Sequence, residues 1–205
     1  MKPARILFVT GTDTGVGKTI FAALATILLR QSGRRVVALK PICSGGRGDA
    51  RLLHAAASKA VPLTQVNPWH FRAALAPLLA ARKERKRVRL RQVVAHIRRV
   101  AKRFEVVIVE GAGGLLSPLG EDFDSRDLIQ ALDATPIVVS PNQLGAVNQV
   151  RLVLEALPPV AAQRARVVLV NPVKPDAASR TNLELLGEFV DPRCLRELPW
   201  LGKPR

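Results

Sequence analysis

The sequence predicts an α/β protein: a mostly parallel sheet with helices on both faces. Three observations predict it. Short apolar, β-branched runs alternate with helix-like stretches along the chain, the pattern of parallel strands joined by crossover helices. A glycine-bearing turn separates the first strand from the first helix. Polar residues stand where successive strands end, which is where open parallel sheets gather ligands. At 205 residues, without an internal repeat or long linker, the chain is expected to be a single domain, 1–205.

Each element has its own signal. ARILFVTG, residues 4–11, is the first strand, and helical spacing follows from Lys18 to Gln31. RRVVALKP, residues 34–41, is the second strand; a glycine-rich loop then leads into a helix from Asp49 to about Ser58. APLLAARK, residues 76–83, predicts a short helix before a basic one that starts at Leu90. In the basic helix Val93, Val94, Ile97, Val100 and Phe104 share one face, leaving Arg91, Arg98, Arg99, Lys102 and Arg103 to the other. FEVVIVEGAGG, residues 104–114, is a buried strand that ends in glycines. Residues 124–133, 146–157 and 179–190 are expected to be helices, 135–142 and 164–173 strands, and 194–201 a closing edge segment.

Composition narrows the partners. Thirty-two Lys and Arg against sixteen Asp and Glu give +16, a balance that suits nucleic-acid binding. The excess centres on residues 82–104, where Phe104 alone could stack on a base. A solvated basic face is therefore expected, with nucleic-acid contact at most weak and nonspecific. No apolar run reaches the roughly 18 residues of a membrane span, and Met1–Arg5 lead straight into a strand without a leader pattern. A cytoplasmic protein without a membrane partner is expected. Cys43 and Cys194 are too few for a disulfide framework and lack metal-ligand spacing, so free thiols are expected. His54, His70 and His96 are read as surface or core residues, and Trp69 and Trp200 as packing groups.

FVTGTDTGVGKT, residues 8–19, carries the chemistry. The phosphate-loop pattern G-x-x-x-x-G-K-[ST], counted back from Gly17-Lys18-Thr19, needs glycine at position 12 and meets Thr12; Gly11 stands one residue further back. The loop is thus one residue longer between its glycines. Gly15 and Gly17 allow backbone N–H groups to face a phosphate, and the helix start adds its dipole. Lys18 would reach the β and γ phosphates, and the Thr19 hydroxyl would complete a Mg²⁺ shell. The expected fold is accordingly P-loop NTPase-like. The loop, Lys40, Glu110, Asn142 and Asn171 all end strands and are expected to face one crevice.

GTDTGVGKT resembles the signature of the dethiobiotin synthetase family. KPICSGG, GDARLL, VNPWHFRAALAPLLAA, VVIVEGAGGLLSPL, LGAVNQ, LVNPV and ELPWL are similar, in order, to further segments of that family, so the likeness runs from about residue 5 to 201. Departures are the short Ser44–Asp49 loop with Gly46-Arg47-Gly48, Leu78 in place of a histidine, and Gln149. The resemblance implies an ATP- and Mg²⁺-dependent enzyme that carboxylates 7,8-diaminopelargonate with CO₂ and closes the ring to dethiobiotin. It implies Lys18 and Lys40 as catalytic cations and Thr19, Asp49 and Glu110 as metal ligands. ATP contacts would come from Gly15, Val16, Gly17, Lys18, Thr19, Ile20, Asp49, Glu110, Gly111, Ala112 and Gly113. Asn171, Pro172, Leu198, Pro199 and Trp200 would supply the adenine side. Thr14 and Ser44 would hold substrate, with Gly145, Ala146, Val147 and Asn148 doing so across a homodimer interface. Other readings are a partition-type, DNA-associated P-loop ATPase, whose second upstream loop lysine is missing from Thr12-Asp13-Thr14, and a non-catalytic nucleotide-binding relic.

Overall fold

A computed structural model describes residues 3–201; Met1 and Lys2, which open the N-terminal stretch read above, lie outside them. In chain order the strands are β1 (Arg5–Gly11), β2 (Val36–Leu39), β3 (Ile42–Ser44), β4 (Trp69–Phe71), β5 (Val106–Glu110), β6 (Thr135–Pro141), β7 (Arg166–Val170) and β8 (Leu195–Leu198). The helices are α1 (Lys18–Gln31), α2 (Gly48–Ala56), α3 (Leu63–Val66), α4 (Pro77–Lys83), α5 (Leu90–Ala101), α6 (Ser125–Leu132), α7 (Ala146–Ala156), α8 (Pro159–Ala162) and α9 (Ala177–Gly187).

Six strands form one sheet in the order β2-β5-β1-β6-β7-β8, and every described pairing is parallel. Every residue of β5 is buried, as a strand covered on both faces requires. One apolar core runs from Phe8 to Leu195 and includes Leu39, Leu53, Ile97, Ile108, Ile129 and Leu169. Each such side chain, fully buried, contributes about 1.5–3 kcal/mol. From β1 the chain crosses to β2, on the far side of β5, and later leaves through β6 in the other direction. The carboxyl end of β1 is therefore the switch point where such sheets open a crevice.

Register places the key side chains. Val9 lies opposite Glu110, and Leu39 opposite Val109. Lys40 is the next residue along, so it leaves β2 beside Glu110.

The structure refines several expectations. The closing segment contains a true parallel edge strand, β8 on β7. β3 and β4 form a separate parallel ribbon that the sequence does not announce, because three residues carry no readable period. α9 begins at Ala177, two residues before the helix expected there, since Asp176 caps it through the Ser179 N–H at 2.8 Å. α5 follows the expected pattern: Val93, Ile97 and Val100 are buried, while Arg91, Arg98, Arg99, Lys102 and Arg103 are exposed. Three of those arginines are engaged locally. Arg98 donates to the Ala131 carbonyl at 2.8 Å, Arg103 to the Gln65 side chain at 2.9 Å, and Arg99 to His96 Nδ1 at 3.0 Å. His96 is a core residue whose other ring nitrogen meets the Gln65 carbonyl at 2.8 Å. Burial, reinforced by the nearby Arg99, pushes its pKa down. Trp69 packs edge-on against His96 as a packing group, whereas Trp200 is 53% exposed. Both cysteines are free thiols.

Candidate active site

The lengthened loop owes its shape to Gly11 and Gly17. Thr12, just past the end of the central strand β1, still donates its N–H to the Val139 carbonyl of β6 at 3.0 Å. The turn begins after it, and Val16 folds back over Gly11, where an added Cβ would lie 2.7 Å from Val16 Cγ2. Gly17 caps α1 at φ 101°, in the left-handed region, and a Cβ there would stand 3.1 Å from Val170 Cγ2. No side chain caps α1, and its first turn holds no acid. The N–H groups of that turn therefore face the cleft as a ready anion site.

The cleft occupies about 810 Å³ at the ends of β1, β2 and β5. Of the residues singled out from the sequence, Thr14, Gly15, Gly17, Lys18, Thr19, Ile20, Lys40, Ser44, Asp49, Glu110, Ala112 and Gly113 line it. Lys18 is 5% exposed, and its ammonium donates to the Asp13 carbonyl at 2.6 Å. Burial first, and the neighbouring Lys40 second, push the Lys18 pKa down to about 8.

Glu110 is the hub. Its Oε1 accepts from Lys40 Nζ at 2.5 Å and from the Thr19 hydroxyl at 2.9 Å. Lys40 also donates to the Gly111 carbonyl at 3.0 Å and lies 3.4 Å from Asp49 Oδ2. Burial alone would lower the Lys40 pKa, but the Glu110 carboxylate beside it, with help from Asp49, holds it above the ordinary lysine value. Asp49 is not the α2 cap, since that position is Arg47; it sits in the first helical turn with its carboxylate toward Lys40. The second Glu110 oxygen, Oε2, is buried without a hydrogen-bond partner, which calls for an explanation in a native site. Thr19, Asp49 and Glu110 thus offer hard oxygen donors beside the Lys40 ammonium, and the Glu110 Oε2 among them has no partner. That donor set suits Mg²⁺, which uses one or two carboxylates and completes its shell with water and phosphate oxygens.

Of the other candidates, Val16, Gly111 and the α7 start stand outside the cleft lining. Val16 is turned inward, and Gly111 contributes its carbonyl to Lys40. Ser44 lines the cleft with its hydroxyl donated to the Leu75 carbonyl at 2.6 Å, which leaves it an acceptor there. Gly145, Ala146, Val147 and Asn148 open α7 away from this cleft. The expectation that five polar strand ends face one crevice is corrected to three. Asn142 donates to Asn171 Oδ1 at 2.7 Å and to the Ser179 carbonyl at 2.8 Å, and accepts from Asn182 at 2.8 Å. Two adjacent amide-bearing ends satisfy each other, so Asn142 is a structural tie. Asn171 also pairs its N–H with the Leu198 carbonyl at 2.9 Å, keeping Asn171 and Pro172 alongside Leu198, Pro199 and Trp200. Val170 against Gly17 sets this second group beside the loop.

Leu52, Ala74, Leu75, Ala76, Pro77, Ser117 and Pro118, with the free thiol Cys43, complete the cleft wall, and no motif of the sequence assigns them to it. Ala74–Pro77 lie in the VNPWHFRAALAPLLAA segment, whose middle folds over Ser44, and Ser117 and Pro118 lie in VVIVEGAGGLLSPL.

Fold and site together define a P-loop nucleotide-binding protein of the α/β class. The AAA domain family matches residues 5–203. The ATP-dependent dethiobiotin synthetase BioD of Anaeromyxobacter dehalogenans strain 2CP-1 is 40% identical over 202 residues, covering 96% of this chain and 90% of its own. That of Anaeromyxobacter sp. strain Fw109-5 is 45% identical over 157 residues, covering 75% and 70%. The chain belongs to the family of ATP-dependent dethiobiotin synthetases. A crystal structure of a ParA family ATPase from Chlorobium tepidum TLS superposes with a TM-score of 0.59 at 14% identity, covering 98% of this chain and 85% of that one, a likeness of fold.

Proposed function

We propose that the protein catalyses ATP- and Mg²⁺-dependent closure of 7,8-diaminopelargonate and CO₂ to dethiobiotin. The observation that carries this is the convergence of two buried ammonium groups, Lys18 and Lys40, with Glu110, Thr19 and Asp49 in one cleft. One amine of the substrate takes up CO₂ as a carbamate. A carbamate oxygen attacks the γ-phosphorus, the bond to the ADP oxygen breaks, and a carbamic-phosphoric anhydride forms. The second amine then attacks the carbonyl carbon, and phosphate leaves with the bridging oxygen.

Such a reaction joins anions, so it needs charge cancelled and reactants aligned more than it needs a strong base. The α1 N–H groups and Lys18 hold the β and γ phosphates. Lys40, fixed beside Glu110, faces the transferring phosphoryl group and the carbamate, and its charge is kept by that neighbour. Thr19, Asp49 and Glu110 would hold Mg²⁺, which supplies charge neutralisation on the phosphates. Ser44 and Thr14 orient the diamine. Asn171, Pro172 and Leu198–Trp200 receive the adenine, with the remaining amide hydrogens of Asn171 free to donate. The α7 start serves the carboxylate tail of substrate bound to a second subunit. A homodimer is supported by exposed Leu116 and Leu152 flanking an apolar groove of about 430 Å³ beside Thr12 and Asp13.

Purified protein given the diamine, bicarbonate, Mg²⁺ and ATP is expected to form dethiobiotin; ATP hydrolysis stimulated by DNA, with no dethiobiotin, would support the partition-type reading instead. The local engagement of Arg98, Arg99 and Arg103 supports a solvated basic face. Retention on DNA is accordingly expected to vanish by roughly 0.2 M salt; retention that persists in filter binding above that would make the face a specific site.

A further inference from the structure

We infer that Arg47 and Asn67 form a clamp that sets the distance between Lys40 and Asp49, and are positioning residues for the reaction. This rests on the reading under Proposed function. Asn67 is 1% exposed, far from the loop in sequence, and uses its whole amide. Its Nδ2 donates to the Lys40 carbonyl at 2.8 Å and lies 3.4 Å from the Pro41 carbonyl. Its Oδ1 accepts from Arg47 Nε at 3.0 Å, while Arg47 Nη2 donates to the Asn67 carbonyl at 3.0 Å. The Lys40 N–H is also held, by the Val66 carbonyl at 3.0 Å. Both polar groups of the Lys40 backbone are thus fixed by the segment that carries Asn67.

Arg47 occupies the cap position of α2, two residues before Asp49. A closed ring results: Lys40 backbone, Asn67 amide, Arg47 guanidinium, the first turn of α2, Asp49 carboxylate, Lys40 ammonium. Between Ser44 and Asp49 the loop is tied at Gly45 by the Phe71 carbonyl and the His70 ring, and at Gly46 by Cys43; Arg47 adds the tie at the helix cap itself, between Gly46 and Gly48. The planar guanidinium, with two parallel donors on one residue, fixes direction as well as distance, which a lysine does not do. A site that transfers a phosphoryl group between anions loses rate steeply when a charge is displaced by about 1 Å.

The test compares Arg47→Met and Arg47→Lys with the wild-type full chain. Arg47 is half-buried on the rim, so Arg47→Met is expected to fold and to melt near the wild type. Its kcat for dethiobiotin should fall by about tenfold or more, and the Mg²⁺ concentration for half-maximal rate should rise, because Asp49 is no longer held. Nucleotide binding measured without Mg²⁺ should stay within about twofold, since Lys18 and the loop lie outside the ring. Arg47→Lys should recover part of kcat. Amide hydrogen exchange at Lys40, read without any activity, should quicken in Arg47→Met. Unchanged kcat and exchange in a folded Arg47→Met, or a lowered melting temperature with kcat intact at low temperature, would overturn the clamp. A wild-type protein that forms no dethiobiotin would instead overturn the reading beneath it; quickened Lys40 exchange in the variant would still support the clamp.

Discussion

Lys40→Met is expected to lower kcat for dethiobiotin formation by about 10²–10³-fold, the usual loss when one preorganised charge facing a transition state is removed. Lys40 is 4% exposed and its ammonium is the neighbour of a carboxylate that is itself 1% exposed. Its folded pKa lies above the ordinary lysine value, so its contribution to stability is fully present at neutral pH and lost only as pH rises past that raised pKa. Removing it leaves Glu110 buried without a counter-charge, a change that costs about 3–5 kcal/mol in comparable pairs. The single variant should therefore be slow and less stable. The double variant Lys40→Met/Glu110→Gln should regain much of the stability, read by thermal melting, and none of the rate. Full activity in Lys40→Met, or stability restored together with activity in the double variant, would remove the pair from the mechanism.

Lys18→Met should behave in the opposite sense on stability. The folded pKa of Lys18 is about 8 against 10.5 unperturbed, so the folded protein binds its proton less tightly than the unfolded chain. Below pH 8 both states are protonated and the buried charge opposes folding by about 3 kcal/mol. That opposition fades as pH rises from about 8 to 10.5. Lys18→Met is expected to raise the melting temperature at pH 7 while abolishing measurable nucleotide binding. In the wild type, affinity for ATP should be flat between about pH 7, above the second ionisation of the terminal phosphate, and about pH 8, and should fall about tenfold per unit above that, because the free site must first take up a proton. Calorimetry in buffers of different ionisation enthalpy would record that proton uptake. A Lys18→Met protein that binds ATP as tightly as the wild type would exclude the phosphate role.

Much of this was legible in the sequence, and for definite reasons. The loop announced itself because Gly15, Gly17, Lys18 and Thr19 are contiguous between a strand and a helix. Lys40 and Glu110 stand out as polar ends of apolar strands, and parallel register brings them side by side. The Arg47–Asn67 hydrogen bonds were not legible, since they join residues 20 apart with no shared period. The Asn142–Asn171 tie is hidden for the same reason: each asparagine reads alone as a ligand-facing strand end, and only the sheet order shows that they are neighbours. The β3–β4 ribbon escaped because its strands are three residues long. The wall formed by Leu52, Leu75 and Pro118 is built from apolar residues that chemistry does not mark.

The most direct measurement follows the oxygen. With bicarbonate carrying ¹⁸O, the proposed route sends the carbamate oxygen that attacks ATP into phosphate. Lys18, Lys40 and Glu110 acting in one cleft on carbamate and ATP predict labelled phosphate appearing in step with dethiobiotin. Dethiobiotin formed with unlabelled phosphate, or ATP hydrolysed with no dethiobiotin, would contradict it.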